Sequence, residues 1–200
     1  PHASDGAYVY AGTCRSLSKS ECEELSKHKI PATRIRVPNK TYAFEDKVYG
    51  QTSQNLSKSC GDFIVQRADG VFAYQLAVVV DDADMGVTEV VRGSDLLSST
   101  PRQLYLQDVL GLSHLTYAHL PLLVAPDGRR LSKRNHDLDL GVLRLQGKTP
   151  EEILGFLAYC VGLTEENEPL SAVQIANRFS WETLRAHRKN VVVEHFSHVL

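Results

Sequence analysis

The sequence predicts an α/β fold with a β-rich module near its start and a helical region at its end. Short apolar runs at residues 63–65, 87–91 and 120–124 have the length of strands. Helix-opening signals at Thr100-Pro101 and Pro150-Glu151-Glu152 alternate with these runs and then follow them. Mixed strands, then strand alternating with helix, then helices alone is the element order of an α/β domain with an inserted or attached module.

Residues 18–28 open on a serine cap and read as a short polar helix. Residues 32–37 alternate like a half-buried strand that Pro38 ends, and residues 41–44 are expected as its hairpin partner. Residues 51–61 are polar and serine-rich, the composition of a loop. The strand at 63–65 leads into the turn Ala68-Asp69-Gly70. Residues 71–80 are apolar almost throughout, and their periodicity fits a buried strand and a buried helix alike. Residues 87–91 read as a strand closed by Arg92-Gly93, and a helix with proline in its first turn runs from Thr100 to about Leu110. A short buried strand at 120–124 precedes a strong helix from Pro150 through Val161, with further helices near 171–178 and 180–187. Cys160 shares a helix face with Ile153, Leu157 and Val161, the place of a small core residue.

A chain of 200 residues, 42% apolar and 23% charged, has the make-up of an ordinary globular protein of one or two domains. With a net charge of −2 the whole surface is no polyanion trap, so a nucleic-acid partner would meet a local basic patch. No apolar run approaches the roughly 20 residues of a membrane helix. The opening Pro-His-Ala-Ser-Asp-Gly has neither the basic start nor the apolar core of a signal peptide. Cys14, Cys22, Cys60 and Cys160 form no Cys-x-x-Cys pair, which favours reduced thiols and the cytoplasm. Asp81, Asp82 and Asp84 read as an acidic helix end rather than a magnesium cluster. Glu194, His195 and His198 lack the His-Glu-x-x-His spacing of a zinc site.

Arg130-Leu131-Ser132-Lys133-Arg134 follows Pro126-Asp127-Gly128, which sets a lysine, a hydroxyl and flanking arginines behind a glycine turn. Cations there offset charge on phosphoryl oxygens, and small residues let backbone N–H groups approach, so the loop suits a triphosphate. Three segments form one series with it. The first runs from Gly61-Asp62-Phe63 to Tyr74-Gln75-Leu76-Ala77. The second runs from Met85-Gly86-Val87 through Arg92-Gly93-Ser94 to Ser99-Thr100-Pro101-Arg102-Gln103. The third runs from Tyr117-Ala118-His119-Leu120-Pro121 into the lysine loop itself. In this order and spacing, over roughly residues 8–163, they resemble the second half of the catalytic domain of the glutamyl-tRNA synthetase family, class I aminoacyl-tRNA synthetases.

The resemblance implies a Rossmann-type nucleotide-binding fold. Residues 1–60 would be part of an inserted module for the acceptor end with a zinc knuckle, 61–149 the second half of the catalytic domain, and 150–200 a helical region. It implies a ligase that activates L-glutamate with ATP and Mg²⁺ and transfers it to tRNA, with neither DNA nor membrane among its partners. The lysine loop matches the KMSKS signature, so Lys133, with Ser132 beside it, would stabilise the triphosphate as the carboxylate attacks the α-phosphorus. Such a reaction needs positioning and charge stabilisation more than covalent chemistry by the protein. The backbone at Leu122 and Leu123 would flank the adenine. Tyr74 and Arg92 match the glutamate pocket: an arginine fork takes a carboxylate in two parallel bonds, and a phenol fixes the other end.

Within the family, Ala77-Val78-Val79-Val80-Asp81-Asp82 resembles the short glutamyl-queuosine-tRNA(Asp) branch, where full-length enzymes often carry a polar residue at the place of Val78. Asn135 leans the same way, whereas Gln66 stands where the family often has an arginine. Tyr10-Ala11-Gly12-Thr13-Cys14 resembles half of that branch's zinc knuckle, which would make Tyr10 and Cys14 Zn²⁺ ligands with two partner cysteines expected upstream of Pro1. The His-x-Gly-His tetrapeptide with which the class holds ATP does not occur in the sequence. The chain is therefore expected to be the C-terminal two-thirds of a synthetase, unable alone to form the adenylate. The alternatives are a truncated ligase for tRNA(Glu) and a non-catalytic module that binds tRNA or a partner. Retention of Tyr74, Arg92 and Lys133 together favours catalysis.

Overall fold

The computed structural model describes residues 9–131 and 140–193. In chain order they form α1 (Lys19–His28), β1 (Thr33–Ile35), β2 (Thr41–Asp46), β3 (Gly50–Asn55), α2 (Leu56–Ser59), β4 (Phe63–Gln66), α3 (Tyr74–Asp84) and β5 (Glu89–Gly93). A 3₁₀ turn, Ser94–Ser99, leads to α4 (Thr100–Leu110), β6 (Thr116–Leu120), β7 (Leu123–Val124), α5 (Leu140–Leu145), α6 (Pro150–Cys160), α7 (Ala172–Arg178), α8 (Trp181–Ala186) and β8 (Val191–Val192). The main sheet has the order β3-β2-β6-β5, with β2 parallel to β6 and Asp46 opposite Tyr117. β1 and β4 form an antiparallel pair, and β7 and β8 a parallel one. Parallel pairing with helices in the intervening chain is the α/β arrangement that the element order predicted.

The signals at the helix ends act as expected. Pro101 stands in the first turn of α4, where its missing N–H costs nothing, and Gly111 closes the helix at φ 68°. Thr149 and Glu152 form a reciprocal capping box on α6, and Ser18 and Glu21 form one on α1. The ambiguous run at 71–80 becomes helix from Tyr74 onward, after a bridge between Gln66 and Phe72 ends the extended portion.

Three expectations change. Residues 41–44 do not pair with residues 32–37: β2 lies between β3 and β6, and β1 pairs with β4. Alternation sets which face of a strand is buried but does not name the neighbour. Residues 51–61 are not a loop but most of β3 plus α2, which Asn55 caps by accepting from the Lys58 N–H at 3.3 Å. Pairing with β2 overrides the weak strand propensity of this polar segment. The run at 120–124 is split around Pro121, which has no N–H to give to a ladder, leaving β6 and β7 on either side.

The chain packs into two compact units. The first comprises Pro1–Asp46, Gln51–Val90 and Asp95–Tyr117. Its core gathers Val37, Tyr42, Leu56, Phe63, Val79 and Leu104, and burial pushes the Tyr42 phenol up to about 12. Beside that core Asp62 is 3% exposed. Arg15 grips its carboxylate through both Nε and a terminal NH₂, and the Val37 N–H donates to it at 2.9 Å. Arg34 donates to the Asp62 carbonyl at 2.8 Å, so one residue ties the N-terminal segment, β1 and β4 together. Next to it Gly61 has φ +64°, and a Cβ there would lie 2.9 Å from the Tyr10 carbonyl oxygen. Only glycine allows that approach.

The second unit comprises Lys47–Gly50, Val91–Ser94 and Ala118–Leu200. Leu143, Phe156 and Val193 form its core, with Ile153 and Cys160 packed against them, whereas Leu157, expected on the same face, is exposed. Burial raises the Cys160 thiol to about 11, which keeps it protonated and unreactive at neutral pH. The Lys47–Gly50 turn is held by α8 and its end: Arg185 Nε donates to the Lys47 carbonyl at 2.6 Å, and the Tyr49 hydroxyl donates to the Arg188 carbonyl at 2.9 Å. At Gly155 an added Cβ would fall 1.8 Å from the Glu168 carbonyl oxygen, so α6 packs directly on backbone there.

Gly155→Ala should therefore cost about 2–3 kcal/mol, read as a lower urea midpoint from the fluorescence of Trp181, the single tryptophan, which lies in that unit. Asp62 supplies a pH test in the other unit. The Arg15 guanidinium, and then the Val37 amide, hold its carboxyl below the ordinary range against the opposing effect of burial. Its contribution is thus full above an unfolded carboxylate's pKa of about 4 and is lost as pH falls through the lowered native value. Protection of the Val37 amide from hydrogen exchange should fall on acidification through that window, and Asp62→Asn should lower it at neutral pH and flatten the dependence.

Candidate active site

β5 and β6 are neighbours in the sheet, and their starts are pinned where the Thr116 N–H donates to the Thr88 carbonyl at 3.1 Å. Arg92 and His119 each occupy the fourth position of a five-residue strand. The Arg92 Nε–H donates to His119 Nε2 at 3.0 Å, and His119 is 0% exposed. An arginine in a protein keeps its charge and has only donors, so Nε2 is the acceptor. The imidazole is then neutral and carries its proton on Nδ1. Sequence reasoning singled out Arg92 and gave His119 no role.

Tyr74 is the first residue of α3 and is 53% exposed. Ala73, at the N-cap, offers no side-chain cap. The start of the helix is anchored instead through Gln75, whose Nε2 donates to the Ser99 hydroxyl at 3.0 Å. Gln103 Nε2 donates to Gln75 Oε1 at 2.9 Å, and Arg102 donates to Ser99 at 3.3 Å. Ser99, Arg102 and Gln103 are all buried. The Ser-Thr-Pro-Arg-Gln stretch therefore serves as a buried polar bracket under the turn that carries Tyr74. The signal was in the sequence: four residues able to hydrogen-bond, Ser99, Thr100, Arg102 and Gln103, cluster around the first turn of α4.

The turn before the lysine loop is a hairpin. Val124 bridges Arg130, the Ala125 N–H donates to the Arg129 carbonyl at 2.9 Å, and Gly128 takes φ 81°. Asp127 Oδ1 accepts from the Arg129 N–H at 3.0 Å. Ser132, Lys133 and Arg134 lie outside the described residues, as do Asn135 and the Glu194, His195 and His198 set. The Leu122 N–H donates to Asn190 Oδ1 at 3.0 Å, the Leu122 carbonyl accepts from Val191 at 2.8 Å, and Leu123 sits opposite Val191 in the β7–β8 pair. An adenine using the Leu122 amide would have to displace Asn190.

Tyr10 and Cys14 do lie together, with the Cys14 N–H donating to the Tyr10 hydroxyl at 2.8 Å. Structural zinc takes four ligands. Among the described residues there is no group of three or more His, Cys, Asp or Glu that could hold a metal ion. Tyr10 and Cys14 alone do not fit zinc. The same region borders a groove of about 840 Å³ in the first unit, lined by Leu25, Ile30, Arg34 and Arg36 among others. Its arginines serve the fold: Arg34 lies 4.2 Å over the Tyr10 ring, and Arg36 donates to the Arg15 carbonyl at 2.6 Å.

Residues 3–197 match the family described as tRNA synthetases class I (E and Q), catalytic domain. The chain belongs to this family. Among curated relatives, the chain is 44% identical over 185 residues to the glutamyl-Q tRNA(Asp) synthetase of Nitratidesulfovibrio vulgaris, covering 92% of this chain and 57% of that one. It is 48% identical over 164 residues to the protein of the same name from Symbiobacterium thermophilum, covering 81% and 50%. The chain spans about half the length of the curated relatives it matches. A glutamate tRNA ligase of Elizabethkingia meningosepticum, solved in complex with its amino acid, aligns with TM-score 0.72 at 25% identity over 92% of this chain and 41% of its own. The glutamate-tRNA synthetase of Elizabethkingia anophelis shares the fold, with TM-score 0.74 over 94% of this chain and 42% of its own. The mixed α/β fold is thus that of class I glutamyl-tRNA synthetase catalytic domains. No helix among the described residues is long and apolar enough to cross a membrane.

Gln103→Ala removes the donor to Gln75 and should cost about 1–3 kcal/mol. The expected result is a lower thermal midpoint with an unchanged far-ultraviolet spectrum.

Proposed function

We propose that this chain serves the ATP- and Mg²⁺-dependent activation of L-glutamate and transfer of the glutamyl group to queuosine of tRNA(Asp). The observation that carries the reading is Arg92: a permanent cation near the end of a sheet strand, donating to a buried histidine on the neighbouring strand. Open α/β sheets bind ligands beyond the carboxyl ends of their strands, which is where Arg92 stands. Relatives named glutamyl-Q tRNA(Asp) synthetase, 44% and 48% identical, support queuosine as the acceptor.

In this reading Arg92 takes a carboxylate of the substrate and Tyr74 gives its hydroxyl to the same amino acid. The α-carboxylate oxygen attacks the α-phosphorus of ATP, the bond to the bridging oxygen breaks, and pyrophosphate leaves. Ser132 and Lys133 stabilise the charge on the departing group, and Leu122 and Leu123 flank the adenine. Residues 61–149 form the catalytic portion, 1–60 the module beside the acceptor, and 150–200 a helical support, in a cytoplasmic enzyme. Nothing in this chemistry runs through zinc. A second reading, charging of tRNA(Glu), is favoured by the glutamate tRNA ligase solved with its amino acid.

Glutamate-dependent ATP–pyrophosphate exchange by the full-length protein tests the reading. Lys133→Ala should lower exchange by about 10²–10³ with little change in the KM for glutamate. Unchanged exchange would remove Lys133 from the mechanism. Labelled glutamate should then pass to tRNA(Asp) containing queuosine and not to tRNA(Asp) lacking it; transfer to tRNA(Glu) instead would favour the second reading.

A further inference from the structure

Resting on the reading of Tyr74 as a grip on the substrate amino acid, we infer that Gln75 is a positioning residue for glutamate: it holds the start of α3 where the Tyr74 hydroxyl meets the ligand. Tyr74 is the first residue of α3 and its side chain is exposed, so packing does little to place it. The first turn of a helix gathers orphan N–H groups and is where fraying begins. In α3 that turn has no side-chain cap. Other bonds hold it on either side of Tyr74. Before it, the Ala73 N–H donates to the Val65 carbonyl of β4 at 2.9 Å. After it, the Gln75 amide donates to the Ser99 hydroxyl at 3.0 Å and accepts from Gln103 Nε2 at 2.9 Å. With the main chain tied at 73 and the side chain tied at 75, the Cα–Cβ direction of Tyr74 is set and its own torsions alone remain.

The tie at Gln75 reaches into the rigid part of the first unit, to which all these residues belong. Ser99 and Gln103 are buried at the start of α4, and Arg102, also buried, donates to Ser99 at 3.3 Å. A buried network of this kind stiffens what it holds. Gln75 can join it at two points because a carboxamide carries a donor and an acceptor on one planar group. A hydrocarbon side chain of the same length would fill the space and leave the turn free to pivot about Ala73. Gln75 therefore acts on the ligand through Tyr74, its neighbour in the chain.

Substitution at position 75 separates this role from packing. In ATP–pyrophosphate exchange by the full-length protein, Gln75→Met, which keeps the length and loses both hydrogen bonds, should raise the KM for glutamate about tenfold. The KM for ATP should stay within about twofold of wild type. In a Tyr74→Phe background, which lacks the hydroxyl being aimed, Gln75→Met should add less than about twofold. Ser99→Ala removes the acceptor of the Gln75 amide from the other side, should raise the glutamate KM in the same way, and serves as the second variant should Gln75→Met fail to fold, checked by far-ultraviolet circular dichroism. A folded Gln75→Met or Ser99→Ala variant with wild-type glutamate KM, equal rises in both KM values, or full additivity with Tyr74→Phe would each overturn the inference. Wild-type protein without glutamate-dependent exchange, or Tyr74→Phe with an unchanged glutamate KM, would overturn the reading on which the inference rests and the inference with it. Normal wild-type exchange and an impaired Tyr74→Phe variant beside an unaffected Gln75→Met variant overturn the inference alone.

Discussion

The pairing of Arg92 with His119 depends on β5 and β6 being neighbours. Arg92 and His119 are 27 residues apart in sequence and meet because their strands lie side by side in matching positions. What makes the strands neighbours is the crossover between them. A 3₁₀ turn and α4 fill it, with proline at the start of the helix and a left-handed glycine at its end. Both are backbone devices that fix where a helix begins and stops whatever its side chains do. The pairing thus follows a local rule about helix ends, carried into space by the sheet.

Hydrogen-bonded polar groups do the rest of the positioning. Asp62 is held by a guanidinium and a backbone amide, and Gln75 by Ser99 and Gln103. Such networks are costly if half-made and rigid when complete. In the first unit α1 buries no residue, and Ala73 gives α3 no side-chain cap. The Gln75 bracket takes the place of a cap, so the helix start that bears Tyr74 is set by tertiary contacts rather than by its own sequence.

Much of this was legible in the residues themselves. The bounds of α4 and the opening of α6 follow from Thr100-Pro101 and from Thr149-Pro150 with Glu152, because capping chemistry is local. The glycine turn before the lysine loop was legible for the same reason, as Gly128 bears out. What the chain hid is non-local. Gly-Gln-Thr-Ser-Gln-Asn looks like a loop and is β3, because its ladder is supplied by β2. The neighbour of β2 is β6, some seventy residues on, and no alternation pattern names it. His119 sits in a motif quoted for its order and spacing, yet its hydrogen bond with Arg92 appears only once the neighbouring strand is known. Order and spacing of motifs were enough to place the family; the hydrogen bonds that make the site work were not in that pattern.

The most direct test of the account is a crystal structure of the full-length protein with L-glutamate bound. The account predicts a carboxylate of the ligand against the Arg92 guanidinium at about 2.8 Å. A glutamate bound away from Arg92 would contradict it.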